Sequence, residues 1–401
     1  MNKLFVSILI LFFINGPFIT TINYTSASSE LVTDSWNARA SMGQARYDLG
    51  VIAVEGKIYA IGGYTSELYD GYSNFCVTTN ECYDPVTDTW TTLAPTPTYR
   101  ASFAIAAYQD KIYCIGGASS NGLCGTNDVY DITTDSWSTK TAMPFNDVFL
   151  KAHVIDGKIF VITSYDLFMY NPSTDSWTTK ARMPQPLITS VHSAVVDNKI
   201  VVTYIPLRGS ELHTYVIIYD PKTDAWREGA EADFLLCYGA ASATTGIYAP
   251  KRVYVQGIMT PGITNFDALP TNHVYDPEKN TWLTAKAMPT ARTHFGMAVV
   301  DDVLYVIGGI LDISWENMPK RTPTTGPDGE LIYIHLPSQP FIPTAVNEQY
   351  VPIGYSSIPL TSEPASKNYT TYITVTILAL TVGVIIFGLL FLKKKRKNNL
   401  L

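Results

Sequence analysis

Cationic side chains are scarce in this sequence outside its two ends. The whole chain carries −7, and without Lys3 and the basic run Lys393, Lys394, Lys395, Arg396 and Lys397 the remainder carries −13. A body this acidic repels a phosphate backbone, so nucleic acid is excluded as a partner. Cysteine is sparse too. None of the five (Cys76, Cys82, Cys114, Cys124, Cys237) forms a Cys-x-x-Cys, which argues against a zinc or thiol-redox motif. Their odd number leaves at least one thiol free or paired between chains, and Cys76 with Cys124, in corresponding loops of adjacent repeats, is the candidate bridge. The six histidines are scattered without paired spacing. No metal site, cofactor or convergent catalytic cluster can be assembled from them.

What is present is an octapeptide that keeps returning. It reads YDPVTDTW (Tyr83 to Trp90), YDITTDSW (Tyr130 to Trp137), YNPSTDSW (Tyr170 to Trp177), YDPKTDAW (Tyr219 to Trp226) and YDPEKNTW (Tyr275 to Trp282). The tryptophans are 47, 40, 49 and 56 residues apart, a period that suits one four-stranded blade per repeat. Each unit has an apolar strand ending at Tyr, a turn, and a strand opened by Trp. Upstream of each lies a second strand of the KIYAIGG type: Lys57 to Gly63, Lys111 to Gly117, Lys158 to Ser164, Lys199 to Ile205, Arg252 to Ile258 and Val303 to Gly309. Six such strands predict six blades.

In their order and register, the Gly-Gly doublet, the Tyr and the Trp resemble the Kelch repeat over roughly Thr33 to Tyr355. The resemblance implies an all-β, six-bladed β-propeller. Three doublets stand (Gly62-Gly63, Gly116-Gly117, Gly308-Gly309), while the other blades carry Thr163-Ser164, Tyr204-Ile205 and Gly257-Ile258. Strand counting predicts how the ring closes. The isolated TDSW ending at Trp36 has no Tyr strand before it, and NEQYVP (Asn347 to Pro352) has no Trp strand after it. The N-terminal strand is expected to become the outer strand of blade 6 and to hide the open edges.

The ends read differently. Residues 1–29, with an apolar run from Leu4 to Ile14 after Lys3, are expected to be a signal peptide. The propeller is expected over residues 31–355, and the Pro/Ser/Thr-rich residues 356–371 read as a linker or stalk. Residues 372–392 carry no charge over a length that crosses a bilayer, and the basic residues 393–401 follow. Basic flanks stay cytoplasmic, so the expected topology is single-pass type I in the cell membrane with an extracellular propeller.

In an up-and-down blade the connection between strands 2 and 3 and the connection into the next blade emerge on one face, and functional loops concentrate there. That face receives Arg46, Arg100 and Arg292, each 13 residues before the Tyr of a KIY-type strand, with Asp147 at the same register in blade 3. It also receives the long insertion from Ile310 to Val346, which carries Trp315 and Tyr333. Guanidinium forks match carboxylates, so the arginine sector could hold an anionic sugar or an acidic peptide. The Kelch resemblance implies instead that an Arg here bonds neighbouring backbone. Two functions follow from these residues. One is a cell-surface module that binds an extracellular protein or glycan and is no enzyme; the other is an exported sugar-modifying enzyme similar to sialic acid mutarotase. No catalytic residue carries over from that resemblance.

Overall fold

The computed structural model describes residues 34–65, 76–185, 191–205, 213–236, 239–257, 270–311, 324–325, 331–332 and 342–357. The expected signal peptide, stalk, membrane span and tail lie outside them, as do Trp315 and Tyr333. Among the described residues no helix is long and apolar enough to cross a membrane.

Six four-stranded antiparallel sheets form the ring. Blade 1 runs Gly50–Val54, Lys57–Ile61, Asn80–Asp84 and Thr89–Thr92. Blades 2 to 5 repeat this order, and each innermost strand touches the innermost strands of its two neighbours all the way round. The hairpins between the first two strands require left-handed backbone. Glu55-Gly56, Asp156-Gly157, Asp197-Asn198 and Asp301-Asp302 each place both central residues at positive φ, as tight hairpins of the primed type demand.

Blade 6 is built from both ends of the propeller. Gly296–Val300, Val303–Ile307 and Asn347–Val351 are joined by Ser35–Arg39, which pairs Trp36 with Tyr350. Closure by the N-terminal strand is therefore as the strand count predicts.

The repeated Tyr, Asp and Trp form one junction, copied six times. Tyr83 is fully buried, its ring centroid 5.1 Å from that of Trp90, and its hydroxyl donates to Asp88 Oδ1 at 2.6 Å. Asp88 also accepts the Ala40 amide, and Trp90 Nε1 donates to the Ala40 carbonyl, so the turn clasps the preceding blade. Asp135, Asp175, Asp224 and Asn280 take the same bonds from Tyr130, Tyr170, Tyr219 and Tyr275. At the closure, Tyr350 donates to Asp34 and Trp36 Nε1 donates to Lys286 O. The terminal strand thus makes the same contacts as its five internal counterparts. Tyrosine is selected because it buries a large ring while its hydroxyl still finds an acceptor.

The doublet glycines have a steric cause. Gly63 has φ +97, and a Cβ there would stand 2.7 Å from Tyr47 O. Its amide donates to Arg100 O of blade 2, just as Gly309 donates to Arg46 O and Gly117 to Asp147 O. Blade 3 has Thr163-Ser164 because its turn is short: Thr163 Oγ1 accepts the Tyr165 and Asp166 amides and donates to Asp166 O.

No disulfide joins Cys76 to Cys124; both are free thiols, as are Cys82 and Cys114. The two sulfurs sit instead on carbonyls of one stretch of blade 2, Cys76 Sγ 3.7 Å from Ala118 O and Cys124 Sγ 3.6 Å from Gly116 O.

Candidate functional site

The three arginines of the loop face are enclosed within their blades. Arg46 is 0% exposed; its guanidinium donates to Gly62 O at 2.7 Å, Thr79 O and Ala60 O at 3.2 Å, and Glu81 Oε2 at 2.6 Å. Arg292 repeats the pattern on Gly308 O, Val346 O, Val306 O and Glu348. Arg100 bonds Cys114 O, Thr126 Oγ1 and Asp128. Each arginine is a post that ties the connection entering a blade to that blade's second and third strands. Burial pulls the pKa of Arg46 down and that of Arg292 down to about 10, against the opposing pull of their carboxylates.

The partner acids were visible in the repeat. Glu81, Asp128 and Glu348 each stand two residues before the blade's Tyr, and blades 3, 4 and 5, which lack the arginine, have Phe168, Ile217 and His273 there. Arg and acid occur together or not at all, which is the pattern of a buried pair that cannot tolerate losing one member. Asp147 does a related job in blade 3. It is buried, and its carboxylate accepts the Ser164 amide at 2.8 Å, the Ser164 hydroxyl and the Val148 amide.

Inside this layer of posts lies a collar of strained backbone. Asp48, Ser102, Phe149 and His294, each two residues before the first residue of an innermost strand, have φ of 51°, 53°, 59° and 56°. They are linked around the axis: Asp48 N donates to His294 O, Ser102 N to Asp48 O, and Leu150 N to Ser102 O. Four non-glycine residues in this conformation, each costing on the order of 1–3 kcal/mol, mark a place where shape is imposed by the ring.

The face of blades 2 and 3 carries several bare apolar side chains, the collar residue Phe149 among them. Among the described residues, Tyr99 (53% exposed), Leu123 (49%), Phe145 (49%), Phe149 (53%) and Tyr165 (40%) are large hydrophobics open to solvent. All five lie in connections leading into blades 2 and 3 or between their strands 2 and 3, and Ile342 (53%) is bare in the corresponding connection of blade 6. The structure leaves these side chains bare where the sequence pointed to the arginines. Phe145 and Phe149 flank Asp147 in the stretch FNDVFL.

Known proteins share stretches of this sequence. The Kelch motif model matches residues 45–97 and 99–144, the stretches of blades 1 and 2. The influenza virus NS1A-binding protein homolog of Xenopus laevis is 36% identical over 110 residues, 27% of this chain and 16% of that protein. Kelch-like protein 35 of Mus musculus is 30% identical over 214 residues, 53% of this chain and 36% of its own length. Human Kelch-like protein 15 is 30% identical over 102 residues, 25% of this chain and 17% of that protein. The matched stretches thus span well under half of these relatives. Together with six blades of one register, these matches show Kelch repeats folded as a six-bladed propeller.

Proposed function

We propose that the chain is a membrane-anchored, cell-surface Kelch propeller that binds a protein partner through the loop face of blades 2 and 3. The observation that carries this reading is the exposure of five large hydrophobics, Tyr99, Leu123, Phe145, Phe149 and Tyr165, on the connections of adjacent blades. Contiguous exposed apolar surface on a soluble domain marks an interaction site, and aromatic side chains supply most of the energy when a partner covers them. One relative is named for a viral protein that it binds, which supports a protein ligand over a small substrate. The surface assignment rests on the sequence: the apolar run before residue 15, the uncharged residues 372–392 and the basic residues beyond them.

Full-length protein in lipid nanodiscs, screened against extracellular protein and glycan arrays, tests the reading. A protein ligand retained by the native chain and weakened at least about tenfold by F145S/F149S at unchanged melting temperature is the expected result. Retention by the variant overturns the choice of face, and a glycan ligand in place of a protein overturns the choice of partner. Protease added to intact cells should remove the propeller; a protected propeller overturns the topology.

A further inference from the structure

The innermost strands of all six blades line a cavity of about 340 Å³ on the ring axis, open to solvent. Its wall is mostly Ala, Gly, Val and other apolar side chains, and the polar side chains among its lining residues are four: Lys151, His153, Ser193 and Ser242. They come from the innermost strands of three consecutive blades, 3, 4 and 5, so the cavity has a polar side and an apolar side. Structural economy does not explain this. Blades 1, 2 and 6 place Gly50, Ala104 and Gly296 at the register of Lys151, and the ring closes around them equally well.

Lys151 is an unusual resident. It is half-buried and lines the cavity, and among the described residues no carboxylate comes within ion-pair distance of its ammonium. Every other cation buried in the ring, Arg46, Arg100 and Arg292, has a carboxylate. The groups that face Lys151 are Asp48 of the collar, whose charge acts on it from a distance, His153 on its own strand, and His192 at the same register of blade 4. His192 is itself 1% exposed with Nδ1 unpaired, while Nε2 accepts the Gly239 amide. His153 Nε2 and Ser193 Oγ are 2.7 Å apart, a neutral hydrogen-bonding pair two residues along from the lysine. Burial holds both imidazoles neutral at pH 7, pulling them down to about 4 and about 3.

We propose that the axial cavity binds a small organic carboxylate, with Lys151 as counter-ion and the His153–Ser193 pair as hydrogen-bonding partner for a polar substituent. A partly desolvated charge gains from a close partner, and among the described residues the carboxylate that acts on Lys151, Asp48, does so from beyond ion-pair distance. One lysine balances a monoanion; a dianionic phosphate would leave a net negative charge inside an already acidic ring. The volume lies at the lower end of ligand pockets, and the apolar wall opposite suits a short hydrocarbon body. This site is independent of the aromatic face, since it lies on the axis rather than on the loops.

The test uses full-length protein in detergent and isothermal titration with acetate, pyruvate and lactate, with methyl pyruvate and inorganic phosphate as controls. A carboxylate should bind at one site per chain with millimolar or tighter affinity. K151M should weaken binding about 10- to 100-fold, the worth of a charge-assisted hydrogen bond, while raising the melting temperature by removing an unpaired buried cation. S193A should weaken the hydroxyl- and keto-acids more than acetate. Silence from all three carboxylates, unchanged binding in K151M, or equal binding of methyl pyruvate would each overturn the assignment.

Discussion

Replacing Glu81 by glutamine isolates what a single post contributes. The amide side chain would fill the same space and could still accept the Gly43 amide, which Glu81 Oε1 takes at 2.9 Å, but the charge facing Arg46 would be gone. Removing one member of a buried pair costs about 3–5 kcal/mol because the other charge is left uncompensated. Arg46 keeps four backbone carbonyls, so the lower end, about 3 kcal/mol, is expected. With an unfolding entropy near 2.1 cal/mol/K per residue, a ring of roughly 320 residues gives about 0.7 kcal/mol/K and a fall in Tm of about 4–5 °C. Differential scanning calorimetry of E81Q against the native chain measures it. The double variant R46M/E81L, which removes both charges, should recover most of that loss. An E81Q melting within about 1 °C of the native protein, or an R46M/E81L that melts lower than E81Q, refutes the post. If E81Q instead kept its stability and lost ligand retention, the arginine sector would be a ligand site.

Three further outcomes are expected. Deleting residues 31–42 removes the strand Ser35–Arg39 and the Tyr350–Asp34 bond, so the ring should aggregate or lose much of its thermal stability; an unchanged melting temperature would refute N-terminal closure. His153, His192 and His273 are held neutral down to about 4, 3 and 4, while unfolded histidine takes its proton near 6.5. The unfolded chain therefore binds protons first, and the urea midpoint should fall as pH drops from 6.5 towards 4 and stay flat from 7 to 8; a midpoint constant between pH 7 and 5 counts against it. Burial pushes the thiols of Cys76 and Cys114 up to about 11 and about 12, so in native reduced protein both should resist an aromatic disulfide reagent at pH 8 and react on unfolding; rapid native labelling of either would show the packing to be looser.

The six registers were legible because one junction recurs. Tyr, Asp and Trp sit at fixed offsets, and each offset corresponds to a bond repeated around the ring, closure included. The arginines were legible as a set, but their burial was not, because it depends on acids a strand away; the coincidence of Glu81, Asp128 and Glu348 with the arginine-bearing blades was the available clue. The collar could not be read. Asp48, Ser102, Phe149 and His294 share a backbone conformation and no side-chain type, so no propensity marks it. The aromatic face was also hidden, since Tyr99 or Phe145 is apolar whether it is covered or bare, and only the neighbouring loops decide. The expected bridge between Cys76 and Cys124 rested on matching loops, which put both sulfurs against the same segment without joining them.

The closure also orders the birth of the molecule. The strand Ser35–Arg39 is among the first parts of the ring to be made, yet its partner Asn347–Val351 is among the last, and the Tyr350 to Asp34 bond spans 316 residues. At about 5–20 residues per second the leading strand waits on the order of 15–60 s before its partner exists. Through that interval five blades can assemble in sequence while a tryptophan-bearing strand has no edge of its own to join except the wrong ones. Ring closure is thus the final and slowest-to-arrive contact, and a ribosome that stalls before residue 347 releases a propeller with a gap, two bare sheet edges and no means of repair.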